Sequence, residues 1–279
     1  MSDDATGAPP KRWPPGPAAT VPTREAPVSS RHQLAACAAR GAMPVEVVRP
    51  GSTPAGIAIV AHGRNGAPGQ PQVACMTDAA LRRRLIVVAP QLSNSAAGDG
   101  AGRPEDFTIN GHVAELRAVV VWTQALPELT DLPAAPILMG HSMGAYAALR
   151  LAAEDAGGRI GGVVAVSPVV SGASLIAARR RMGAAALQAL ASEVPGALET
   201  WLEHDLLPMA ARITVPVAVM TGAADALTPP ADAERLARAL PNVVALDILA
   251  NEEHCPSGAV YAASLDRALD RILSACRQP

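Results

Sequence analysis

Three residues set far apart in this chain can together make a hydroxyl reactive: Ser142, Asp225 and His254. A serine hydroxyl is a weak nucleophile at neutral pH and needs a histidine to take its proton as it attacks. That histidine needs a carboxylate to fix its tautomer and stabilise its cation. Ser142 stands in Gly140-His141-Ser142-Met143-Gly144. Glycines two before and two after a serine are what a sharp strand-to-helix turn requires, because side chains there would collide with neighbouring backbone. Attack on a carbonyl builds negative charge on its oxygen, so preorganised N–H donors must be waiting for it. The backbone of Met143, next after the serine, is expected to supply one, and the loop Ala61-His62-Gly63-Arg64-Asn65-Gly66 the other.

These residues need elements to hold them. The continuous apolar run Ala135 to Met139 reads as a strand buried on both faces, and the small-residue stretch Ala145 to Ala153 as a helix, which puts Ser142 on the turn between them. The helix N-terminus behind the serine favours developing negative charge. Strand Val217 to Met220 runs into the tight loop that carries Asp225, and strand Val243 to Leu249 runs into the loop that carries His254. The competing use of Asp225 is as a cap for the helix that begins near Pro229 or Pro230. Asp247 lies inside a strand and is the weaker candidate.

Further strands are expected at Pro44 to Arg49, Ile57 to Ala61, Leu85 to Pro90 and Gly162 to Val166, and helices at Val73 to Arg84, Asn110 to Leu126 and Val260 to Leu273. Such alternation predicts an α/β architecture, a mostly parallel sheet with helices on both faces and function at the C-terminal strand ends. Residues 1–30 hold seven prolines and read as a disordered tail, leaving 31–279 as the folded domain. Within it, 169–214 is longer than a simple connection. Helical patterns around Leu175 to Leu190 and Leu198 to Ala211 suggest a small lid. The run Arg82-Arg83-Arg84 reads as a helix C-terminus, and Arg179-Arg180-Arg181 as a solvated helix face, with steering of an anionic substrate as its alternative use. Arg64 reads as solvated, with reach toward an acidic substrate as the alternative, and Cys255, beside His254, as a packing residue.

Composition narrows the chemistry. Of 279 residues 49% are hydrophobic, but only one is Phe, two are Tyr and three are Trp, so aromatic platforms for stacking bases or sugars are not expected. A formal charge of -2 gives no field to gather nucleic acid or an anionic membrane, and neither is expected as a partner. The only lysine, Lys11, lies in the tail, which removes a Walker-type phosphate loop, a Schiff-base lysine and a Ser-Lys dyad. The four cysteines form no C-x-x-C pair and the six histidines no short metal-ligand spacing, so neither metal nor organic cofactor is expected. With no apolar stretch long enough to span a bilayer and no apolar signal core, a cytoplasmic location with reduced cysteines is expected.

The chain resembles the α/β-hydrolase family over roughly Pro44 to Arg277. The resemblance rests on the elbow G-H-S-M-G, the Gly222-Ala223-Ala224-Asp225 turn followed by Thr228-Pro229, the late His254, and His62-Gly63 after an early strand. It implies the α/β-hydrolase fold with Ser142 as nucleophile, His254 as general base and acid, and Asp225 as the orienting carboxylate. It also implies that the residue after His-Gly, Arg64, gives its backbone N–H to the oxyanion hole beside Met143, with His62 bracing the loop. The implied reaction is cleavage of a small-molecule carboxylic ester or related acyl compound through an acyl-serine. A thioesterase, a carbon-carbon bond hydrolase or an acyltransferase can use the same triad, and a silent binding protein can keep the fold.

Overall fold

Strands that are apolar at every position need cover on both faces, and the chain provides it with two layers of helices. The computed structural model describes residues 25–37, 41–129, 132 and 135–277. Its strands are β1 (Glu25–Cys37), β2 (Gly41–Gly51), β3 (Gly56–Ala61), β4 (Leu85–Pro90), β5 (Ile137–His141), β6 (Gly162–Val166), β7 (Val217–Gly222) and β8 (Val243–Leu249). They form one sheet in the order β1-β2-β4-β3-β5-β6-β7-β8. β1 and β2 pair antiparallel, as do β2 and β4, while every pairing from β4 through β3 to β8 is parallel.

The two-residue period of a strand sorts side chains between the layers. In β3, Ile57, Ile59 and Ala61 face a core shared with helices α2 (Ile109–Ala125), α3 (Met143–Glu154) and α7 (Pro230–Ala239). Ala58 and Val60 face the other core, under α1 (Pro71–Arg82) and α8 (Gly258–Ala275). The arginine run at the end of α1 does more than complement a dipole. Arg83 pairs with Asp266 and, at 2.9 Å, with Asp270, tying α1 to α8.

The chain leaves β3 toward β4 on one side and later returns as β5 on the other. The crevice at the C-terminal ends of β3 and β5 is therefore a topological switch point, where open parallel sheets bind ligands. His62-Gly63 follows β3 and Ser142 follows β5 at this crevice.

Two expectations change. Composition extends the disordered tail to residue 30, but β1 starts at Glu25 and pairs Val28 with Arg49 and Ser30 with Val47. Residues 26–31 of this edge strand are all exposed, so its start carries no apolar alternation to announce it. The rest of that proline-rich segment, 1–24, lies outside the described residues. The expected lid helices are also divided differently, into α4 (Gly172–Arg181), α5 (Ala184–Glu193) and the single turn α6 (Ala197–Thr200), followed by 3₁₀ turns at Trp201–Glu203 and Leu207–Arg212. Gly183, with φ at 112°, ends the first helical pattern, and Pro208 keeps the second from continuing as an α-helix.

Candidate active site

Ser142 holds φ 56° and ψ −116°, a strained conformation for a residue with a side chain. Its surroundings impose it. The Ser142 N–H donates to Val166 O on β6 at 2.9 Å, and its carbonyl accepts from Tyr146 N in the first turn of α3. A Cβ at Gly140 would lie 2.4 Å from the Gly144 backbone, and one at Gly144 would lie 2.5 Å from the carbonyl oxygens of both Ala61 and His62. Backbone cannot retreat there without shifting β3. Gly144→Ala is therefore expected to destabilise the protein by about 3 kcal/mol or more. That corresponds to a melting temperature roughly 10 °C lower for a chain of this size, and a thermal melt unchanged from wild type would contradict the packing.

Asp225 lies in the turn after β7 and its side chain is 0% exposed. One carboxylate oxygen accepts from the N–H groups of Leu227 at 2.9 Å and Thr228 at 2.8 Å. The other accepts from the Thr228 hydroxyl at 2.7 Å and from His254 Nδ1 at 2.9 Å. Burial pushes this carboxyl's pKa up. The hydrogen bonds from His254 and Thr228 outweigh it and hold the group below the usual carboxylate range, hence ionised. Its turn contacts do not replace the expected role: the same carboxylate organises its loop and holds the histidine.

His254 reaches Ser142 Oγ with Nε2 at 3.0 Å. Since Nδ1 faces a carboxylate, it carries the proton, and Nε2 is left as an acceptor for the serine hydroxyl. The side chain is 19% exposed. Asp247 is elsewhere, accepting from Ser264 and Arg267 of α8.

Three other histidines form a scaffold around this chain, and sequence reasoning anticipated only one of them. His62 Nδ1 donates to Gly63 O at 2.8 Å while Nε2 accepts from Leu92 N at 2.9 Å, so the ring braces the loop after β3 as a fixed neutral tautomer. His112 Nε2 donates to His62 O at 3.1 Å. His141 Nε2 donates to His254 O at 2.8 Å and fixes the backbone of that residue. Burial drives all three pKa values down, His62 to about 4 and the other two to about 3. The signal for His141 was its place inside the elbow motif, beside the serine.

A cleft of about 190 Å³ opens on Ser142 and His254, walled by Gly63, Arg64 and Met143 on the sheet side and by Leu175, Arg179 and Trp201 from the segment after β6. Arg64 differs from the solvated side chain expected: it is 11% exposed and pairs with Glu193 of α5 at 2.8 Å. Cys255 is not a packing residue but an exposed, free thiol at the rim of the cleft. Among the described residues no group of three or more His, Cys, Asp or Glu side chains converges to hold a metal, and no helix is long and apolar enough to cross a membrane.

Residues 58–276 match the family model described as "Alpha/beta hydrolase family". Among curated proteins, none matches the sequence. Solved structures share the fold at low identity. Est1E from Butyrivibrio proteoclasticus is 16% identical with a TM-score of 0.66, over 87% of this chain and 98% of that one. The Pyrococcus furiosus esterase Pf2001 is 18% identical with a TM-score of 0.67, over 88% and 92%. The alpha/beta hydrolase GrgF from Penicillium sp. sh18 is 17% identical with a TM-score of 0.65, over 89% and 99%.

Proposed function

The chain belongs to the alpha/beta hydrolase family, and from that premise we propose that it hydrolyses a carboxylic ester, or a closely related acyl compound, through an acyl-serine intermediate. The observation that carries this reading is the unbroken line Asp225–His254–Ser142, with hydrogen bonds of 2.9 Å and 3.0 Å, ending at the mouth of a cleft. As Ser142 Oγ attacks the carbonyl carbon, His254 Nε2 takes its proton. Asp225 stabilises the imidazolium without itself being protonated. Collapse of the tetrahedral adduct breaks the bond to the alcohol oxygen, which leaves with the proton held by His254. Water, deprotonated by the same histidine, then adds to the acyl carbon and releases the acid and the free serine.

The oxyanion is assigned to the backbone N–H groups of Met143 and Arg64. Met143 begins α3, so its amide has no partner within the helix, and both residues line the cleft beside Ser142. The close approach of Gly63 supports the second assignment: a Cβ there would lie 2.9 Å from the Ser142 Cβ, so the loop lies directly against the nucleophile. Segment 169–214 serves as the lid, supplying Leu175, Arg179 and Trp201 to the cleft wall.

The small cleft predicts short acyl groups. In a series of 4-nitrophenyl esters from acetate to dodecanoate, kcat/KM is expected to peak at or below hexanoate and to be at least about tenfold lower for dodecanoate. A folded protein that turns over no member of the series would overturn the proposed reaction.

A further inference from the structure

Three consecutive arginines close α4, and their surroundings separate them. Arg180 and Arg181 are exposed. Arg179 stands one helical turn after Leu175 on the same face of the helix, and both side chains line the cleft that contains Ser142. Its Nε is sealed from solvent without a hydrogen-bond partner. Among the described residues no hydrogen bond or ion pair engages this guanidinium at all. Glu193, the carboxylate whose charge it feels, is already held by Arg64 at 2.8 Å. Two guanidinium groups thus border the cleft with one carboxylate between them, and no aspartate or glutamate lines the cleft itself.

An arginine stays protonated in a protein. Holding it half-buried beside a second cation, with no counter-charge of its own, costs stability unless another group supplies the missing anion. The planar guanidinium fork matches a carboxylate in two parallel hydrogen bonds. We infer that the cleft takes esters that carry a free carboxylate on their acid or alcohol part, and that Arg179 is the residue that selects them. The inference rests on the hydrolase reading above: it names the substrate class of that same site.

The test compares paired esters in which a carboxylate replaces a neutral group at one position. On the acid side these are monophenyl adipate and phenyl hexanoate, and on the alcohol side 3-carboxyphenyl butyrate and 3-carbamoylphenyl butyrate. Wild type is expected to favour the carboxylate by at least about tenfold in kcat/KM in one of the two pairs, the scale of a charge-assisted contact. Arg179→Met is expected to bring that ratio close to one, and Arg179→Lys, which keeps the charge but loses the fork, to leave it intermediate. Arg180→Ala, on the exposed neighbour, should leave the ratio as in wild type. Turnover of the neutral esters with no advantage for either carboxylate, or a ratio that Arg179→Met does not alter, would overturn this inference and leave the hydrolase reading standing. Failure to cleave any of the four esters would overturn both.

Discussion

Asp225→Asn is expected to lower ester turnover by about 10⁴-fold, and Ser142→Ala or His254→Ala by about 10⁶-fold, with the fold retained in each case. The cause of the first loss is a tautomer. Asp225 accepts from His254 Nδ1 at 2.9 Å and from the Thr228 hydroxyl at 2.7 Å on the same oxygen. An asparagine amide turned toward the ring donates where the carboxylate accepted. It drives the ring proton to Nε2, and that nitrogen then faces Ser142 Oγ at 3.0 Å with no lone pair for its proton. If the amide oxygen faces the ring instead, the charge that stabilised the imidazolium is still gone. His254→Ala spares the scaffold, because His141 holds the backbone carbonyl of residue 254 and not its ring. Removing two members of the line should cost little more than removing one, since each is useless without the others. Rates for the single and double variants, with melting curves alongside, check this. Losses that multiply, or a Asp225→Asn rate near wild type, would contradict a single cooperating unit.

Acid is expected to weaken the protein steeply between pH 7 and pH 5, by about 5 kcal/mol in unfolding free energy. His62, His112 and His141 are buried neutral, with pKa values lowered by that burial to about 4, 3 and 3 from an ordinary 6.5. The unfolded chain therefore binds more protons than the native state over this window, the excess rising from less than about one at pH 7 toward about three at pH 5. Stability is full above pH 6.5 and declines as pH falls toward the folded values, where the difference saturates. Each group contributes little near pH 7 and approaches roughly 1.4 kcal/mol per pH unit only toward pH 5, where the unfolded imidazole is almost fully protonated, so each loses a little under about 2 kcal/mol across the window. Protonating His62 also costs the bond that its Nε2 accepts from Leu92 N. Asp225 acts in the same direction at lower pH, because its folded pKa is depressed and its stabilising contribution fades as it protonates. Urea unfolding at half-unit pH intervals measures the slope. A midpoint that stays level from pH 7 to pH 5 would show that these rings are not held neutral.

Much of this arrangement was legible in the sequence because its causes are local. β4, β6 and β8 match the expected ranges because an apolar run bounded by turn residues has few other uses. The elbow was legible for the same reason: two glycines at fixed spacing answer contacts of 2.4 Å and 2.5 Å that only glycine can accept. What stayed hidden depends on contacts between distant segments. β1 is held by backbone pairing to β2 while residues 26–31 are exposed, so composition alone groups its first residues with the tail. His112 and His141 look like ordinary polar residues until the fold brings them to the carbonyls of His62 and His254. Arg179, Arg180 and Arg181 are identical as letters. Only the phase of α4 relative to Leu175 decides which of them turns to the cleft. Arg64 looks solvated in the sequence because its partner, Glu193, is 129 residues away.

The most direct measurement is the mass of the protein after reaction with a fluorophosphonate, followed by mapping of the modified peptide. An activated serine displaces fluoride and keeps one phosphonyl group, while an ordinary serine does not react. The account predicts a single adduct on the peptide that contains Ser142, formed slowly in His254→Ala and absent in Ser142→Ala. Well-folded wild type that takes up no adduct, or an adduct that persists in Ser142→Ala, would contradict it.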